Sequence, residues 1–266
     1  MLDLHSHLLH SIDDGPKDVQ SSVEMIQLAA ELGYTTLVAT PHLLEPLDRA
    51  YDARVDERVR ELEPHGSARG VSLRRGFEVR LTADIGRRLQ AGEAISLAGS
   101  RTVLVELPFS GWPIYTEQAL FDVRASGFIP LLAHPERYEA AVERPQLILD
   151  LHQRGVMMQV TTGSLAGLFG KRSKSLAEEL LREGAVDILA SDAHSAGRRF
   201  VSVAEGLVRA RQIVGAERVR QLTVDNPTAL LTDRPLPPNT VSVNGDQATH
   251  NRARPWNLVR NVLPRR

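Results

Sequence analysis

Asp3-Leu4-His5-Ser6-His7 is the stretch whose reading decides the fold. A short apolar run over 2–5 passes straight into two histidines spaced i, i+2. In a strand those positions share one side, so both imidazoles can reach a single cation. The pattern of a short apolar run ending in chemistry recurs. Candidate strands over 36–39, 72–77, 102–107, 129–133, 156–160 and 187–190 alternate with helical patterns near 19–32, 52–63, 83–91, 114–126, 145–154 and 173–183. Two further helices are expected near 200–213 and 215–222. Such alternation predicts βαβ units and a mainly parallel sheet. Seven strands predict a closed or nearly closed α/β barrel, whose functional groups gather at the carboxyl ends of the strands.

Six of the seven strand ends fit that expectation. The first carries His5 and His7, the second His42, the third Glu78, the fourth Glu106, the fifth His134 and the last Asp192 and His194. The sixth ends in Gln159, Thr161 and Thr162, which are polar but poor metal ligands. Five of the nine histidines thus stand at strand ends, whereas His10, His65, His152 and His250 read as structural or solvated. Imidazole and carboxylate together suit zinc, manganese or iron.

Composition narrows the chemistry. The 266 residues include no cysteine, which excludes disulfides, thiolate zinc sites and a cysteine nucleophile. The net charge of −1 gives no global field toward nucleic acid. No apolar run approaches the length of a membrane span, and no leader pattern opens the chain, so a cytoplasmic location is expected. Residues 234–266 hold six Arg against one acid, a net +5, which leaves −6 on the rest. That segment reads as a flexible basic tail.

The motifs in order are DLHSH (3–7), DDGP (13–16), ATPH (39–42), GFE (76–78), VE (105–106), HPERY (134–138), SDAH (191–194) and DNP (225–227). Together they resemble the polymerase-and-histidinol-phosphatase (PHP) superfamily. Within it they resemble the bacterial capsule-type protein-tyrosine phosphatases, the CpsB/CapC-like branch, over about residues 1–232. The resemblance implies a distorted (β/α)7 TIM-like barrel over 1–232, with the basic tail as a separate segment over 233–266. It implies three divalent metal ions, with Mn2+ expected and Fe or Zn also fitting the ligands. His5, His7, Glu78 and Asp192 would hold the first metal. Glu78 would bridge to the second, completed by Glu106 and His134. Asp14, chosen over Asp13 because it immediately precedes Gly15, would hold the third with His42 and His194. Arg137, and Arg198 or its neighbour Arg199, resemble the family's phosphate-binding arginines.

The expected reaction is hydrolysis of protein phosphotyrosine, with a bacterial tyrosine kinase of capsule or exopolysaccharide synthesis as the implied substrate. Water made acidic between two cations would attack phosphorus while Arg137 clamps the phosphate oxygens. Two alternatives stand beside it. One is a phosphatase for a small molecule such as histidinol phosphate, or a nuclease-like activity. The other is a non-catalytic metal-binding regulatory module. The net-negative body disfavours a long nucleic-acid footprint, and the sequence carries no decisive oligomerisation motif.

Overall fold

The computed structural model describes residues 1–238, apart from the side chains of Arg198, Arg199 and Val201. The tail expected over 233–266 therefore lies mostly outside the described residues. Among the described residues nine strands form: β1 (Leu2–Ser6), β2 (Thr36–Ala39), β3 (His42–Leu43), β4 (Ser72–Arg75), β5 (Glu78–Arg80), β6 (Thr102–Glu106), β7 (Ile129–Ala133), β8 (Met157–Thr161) and β9 (Ile188–Ala190). The helices are α1 (Val19–Glu31), α2 (Arg49–Ser67), α3 (Ile85–Gln90), α4 (Thr116–Ala125), α5 (Glu139–Glu143), α6 (Gln146–Gln153), α7 (Thr162–Ala166), α8 (Lys171–Arg182), α9 (Arg198–Arg220) and α10 (Asn226–Leu231). Gly215 (φ 80°) breaks α9, which accounts for the two helices expected there. The short α5, α7 and α10 carry too few residues to show a helical period, and the sequence reading passed over them. No helix among the described residues is long and apolar enough to cross a membrane.

All strand pairings are parallel, as the alternation requires. They fall into a three-stranded sheet, β1-β2-β4, and a six-stranded sheet, β3-β5-β6-β7-β8-β9. The single hydrogen-bonded ring expected of a closed barrel is not what the ladders form. The reason lies in two interruptions. Pro41 has no N–H to donate, and it parts β2 from β3. Gly76-Phe77 parts β4 from β5 directly alongside. Pairing nonetheless spans the gap, since Gly76 N–H donates to Ala39 O (2.8 Å) and Glu78 N–H to Pro41 O (3.2 Å). At the far edge the last strand meets the first. Asp192 N–H donates to His5 O and His7 N–H to Ala193 O, both at 2.9 Å, and Ser6 bridges Ala193.

Strand alternation divides the core in two. Leu4 and Val38 from the smaller sheet share one cluster with Leu104, Leu131, Met157 and Ile188 from the larger. The intervening Val103, Val105, Leu132, Met158 and Leu189 face the other way, into the cluster that also takes Val23 and Ile26 of α1, Leu120 of α4 and Leu180 of α8. Helices end where the chain must turn back to a strand, as at Gly33 (φ 85°) and Gly127 (φ 86°).

α9 packs closely on the start of α7 at Gly206. A Cβ added there would sit 2.0 Å from the carbonyl oxygen of Thr162, which is backbone and cannot swing aside. Helix propensity alone makes Gly→Ala stabilising by about 1 kcal/mol. Gly206→Ala is instead expected to destabilise, by about 1–3 kcal/mol of overpacking, read as a lower urea midpoint at unchanged m-value.

Candidate metal centre

The strand ends converge. All nine residues expected as ligands fall into four groups of carboxylate and imidazole atoms: His5, His7 and Asp192; His5, Glu78 and His134; His42, Glu78 and Glu106; and His7, Asp14, His42 and His194. Within each group the donor atoms lie within 4.8 Å of one another. Glu78, fully buried at the start of β5, is common to two groups. Its Oε2 lies 3.2 Å from His5 Nε2, 3.2 Å from His7 Nε2 and 3.1 Å from His42 Nδ1. Its Oε1 meets His134 Nε2 at 2.8 Å. His134 lies on the Oε1 side of Glu78 and Glu106 on the Oε2 side, where Glu106 Oε1 is 3.3 Å from His42 Nδ1. His7 also joins the outer group, because its ring stacks on His194 at 3.9 Å.

Backbone shape aims several of these side chains. His134 (φ 34°) and Asp192 (φ 49°) both occupy left-handed conformations directly after β7 and β9. Such conformations carry strain in a residue other than glycine, and persist where the surroundings hold them. Asp192 is held by its N–H bond to β1. The N–H of His134 donates to Gln159 Oε1 (3.4 Å).

Two residues outside the expected ligand set orient the imidazoles. Asp13 Oδ2 accepts from His7 Nδ1 (2.7 Å) and from the N–H of His42 (3.1 Å). Gln159 Oε1 accepts from His5 Nδ1 (2.8 Å). Each bond places the proton on Nδ1 and leaves Nε2 pointing into the cluster, as a histidine prepared for a metal requires. The two neighbouring acids face different imidazoles. Asp13 backs His7, whereas Asp14 Oδ1 faces His194 Nε2 (3.2 Å) and His42 Nε2 (3.6 Å). The signal for Gln159 was present in the sequence, as the one amide among strand-end acids and histidines.

Arg137 follows His134 through a single tight turn over Pro135–Arg137. Its Nη1 donates to Asp192 Oδ2 at 2.6 Å. The guanidinium carbon sits 4.6 Å from the ring centre of Phe109 and 4.2 Å from that of Phe169. The side chain of Arg198, at the start of α9, lies outside the described residues, as does that of Arg199.

The residues present fit a divalent cluster. Glu78 Oε2 is buried, lies near three imidazole nitrogens, and has no aligned hydrogen-bond donor; His42 Nδ1 is likewise unpartnered. A carboxylate oxygen surrounded in this way has the surroundings of a bridging ligand. Without cations, protons must balance the charge. Burial pulls the His7 pKa down, but the close Asp13 and Glu78 carboxylates outweigh that and raise it to about 10. Burial pulls His42 down as well, and the close Glu106 and Glu78 carboxylates overcome it and raise it to about 11. Burial also works to raise Asp13, yet its bond to His7 takes it down to about 2.

Residues 1–232 match the family model described as capsular polysaccharide synthesis, CpsB/CapC. The chain belongs to the CpsB/CapC family. It is 33% identical over 246 residues to the tyrosine-protein phosphatase YwqE of Bacillus subtilis, covering 91% of this chain and 96% of that one. It is 26% identical to the tyrosine-protein phosphatase CpsB of Streptococcus pneumoniae, covering 88% of this chain and 99% of that one. A solved structure from work on YwqE and CpsB, described as unique metal-dependent tyrosine phosphatases, superposes with a TM-score of 0.81 at 32% identity. That superposition covers 89% of this chain and 96% of the solved one, so this CpsB/CapC chain shares its mixed α/β fold with parallel sheets.

The raised histidines set a pH dependence for the chelator-treated chain. A pKa above its unfolded value contributes stability that is complete below the unfolded pKa of about 6.5 and is lost as protons leave the folded state. For His7 that loss runs up to about pH 10, and for His42 to about pH 11. Urea unfolding after chelation should therefore show stability falling from neutral pH toward pH 10. A rise over that interval would contradict the geometry.

Proposed function

We propose that this CpsB/CapC chain is a metal-dependent protein-tyrosine phosphatase. It hydrolyses phosphotyrosine on a partner protein, and the substrate class we infer is a bacterial tyrosine kinase of capsule or exopolysaccharide synthesis, met in the cytoplasm. The observation that carries the reading is Glu78 Oε2, buried among three imidazole nitrogens without a donor aligned to it. Relatives carrying the name tyrosine-protein phosphatase support the substrate class. We assign His5, His7, Asp14, His42, Glu78, Glu106, His134, Asp192 and His194 as ligands for three divalent cations. Mn2+ is our first choice and Fe or Zn fits the same donors. We also read the two sheets as one distorted (β/α)7 barrel, in which β2/β3 and β4/β5 each count once. The body is taken as 1–232 and the tail as 233–266. The Ser6–Ala193 bridge and the bonds across the Pro41 gap favour this reading.

A divalent cluster, when bound, supplies an acidified water at neutral pH and neutralises phosphate charge. The chain's own residues do the rest. Asp13 and Gln159 fix the tautomers of His7 and His5. Glu78, with one oxygen facing His134 and the other facing His5, His7 and His42, would hold the cluster from both sides. Arg137 presents a planar guanidinium fork to the phosphate oxygens. In this structure its Nη1 rests on Asp192 Oδ2, so substrate phosphate competes with that carboxylate for the guanidinium. A phenolate departs with little proton assistance, its conjugate acid having a pKa near 10. With no cysteine in the chain, a phosphocysteine intermediate is impossible.

Three measurements test the assignment. Hydrolysis of a phosphotyrosine peptide, run beside histidinol phosphate and an oligonucleotide, should be abolished by chelation and by His5→Ala and restored to the parent by added metal. Full activity after both treatments would sink the reading. Arg137→Ala should lower turnover by roughly 100-fold or more, the scale of losing a charged transition-state contact, with metal content by elemental analysis retained. Asp13→Ala should weaken metal affinity about 10–100-fold, as losing the carboxylate behind a ligand histidine does, in a direct metal titration.

A further inference from the structure

Phe109 lies three residues beyond Glu106, on the loop that leaves β6, and Phe169 follows α7 on the loop that leaves β8. The Arg137 guanidinium lies within reach of both rings. Phe109 also approaches His134, with ring centres 5.4 Å apart, and Tyr138 at 6.2 Å. Its loop is tied down, because Glu139 N–H donates to Phe109 O (2.9 Å). Tyr138 is fully buried, whereas Phe109 remains 45% exposed. An exposed phenyl ring forgoes burial that would otherwise stabilise the fold. Holding Arg137 uses only one face of that ring. The remaining surface stands beside the guanidinium that we assign to the phosphate and beside His134.

An aryl phosphate has its ring one ester oxygen from phosphorus. With the phosphate on Arg137, that ring must lie against the groups flanking the guanidinium. We propose that Phe109 is the specificity-determining residue for the aryl group, taking the substrate ring in an edge-to-face or offset-stacked contact. Phe169, whose ring centre lies 4.2 Å from the Arg137 guanidinium carbon, is a positioning residue that acts through the arginine alone. This inference rests on the phosphatase reading for the placement of phosphate at Arg137.

The test uses the metal-loaded full chain and two inert probes, phenylphosphonate and methylphosphonate, with binding measured by calorimetry. Phe109→Ala should weaken phenylphosphonate about tenfold more than methylphosphonate, the scale of a lost aromatic pair with its burial. Phe109→Tyr should restore the parent's preference. Phe169→Ala should weaken both probes by the same factor. Kinetics on phosphotyrosine and phosphoserine peptides of one sequence should follow, with the aryl preference of the parent lost in Phe109→Ala through KM. Equal weakening of both phosphonates in Phe109→Ala, or a phenylphosphonate affinity equal to the parent's, would overturn the proposal. A parent that binds both phosphonates yet cleaves neither peptide would instead overturn the phosphatase reading, while the binding ratios still decide the role of Phe109.

Discussion

A buried carboxylate cannot remain charged without compensation, and Glu78 is fully buried. Taking an isolated carboxylate out of water costs several kcal/mol even after relaxation. Here His5 and His7 from β1 and its end, His42 from β3 and His134 from just past β7 surround it. Burial works to raise the Glu78 pKa, yet His5 and its neighbours hold the carboxyl well below the usual range. The cluster therefore keeps its negative charge and demands positive charge in return, from protons or from cations. Most other features of this end of the molecule can be understood as meeting that demand: the tautomer-setting bonds of Asp13 and Gln159, the bent strands, and the left-handed turns.

The same demand accounts for the broken sheets. A regular strand offers one side chain per two residues to a given face. Two rows of ligands at different depths need the chain to shift its register on the way. Pro41 and Gly76-Phe77 make that shift side by side, and they deliver His42 and Glu78 as directly paired neighbours. The ladder loses continuity there, while the hydrogen bonds across the gap limit the cost.

The alternation of apolar runs with helical periods was legible because each strand is short, buried and closed by a turn. The acids and histidines that we assign as ligands were legible because they cluster just past those runs. Less visible was anything dependent on relative depth. Apart from the family's acid before Gly15, nothing local tells Asp13 from Asp14, whose side chains reach different imidazoles. Nor does a sequence show that the run over 72–77 stops early, or that Leu131 and Leu132 serve different clusters. Phe109 and Phe169 were invisible for a related reason. Their common partner, Arg137, stands on a third loop, and sequence distance hides that meeting.

The stitch between the first and last strands bears on how the molecule comes into being. The bond from Ser191 N–H to Asp3 joins residues 188 positions apart, and Asp192 docks beside it on His5. A chain emerging from the ribosome thus exposes its first two histidines long before the partners that complete their surroundings exist. Until the ninth strand arrives, those histidines and Glu78 belong to an unfinished edge with no closed pocket around them. Chemistry is thereby withheld from incomplete chains, and a prematurely terminated product would be inert rather than partly active. The cost of this arrangement is kinetic, since contacts so distant in sequence form slowly.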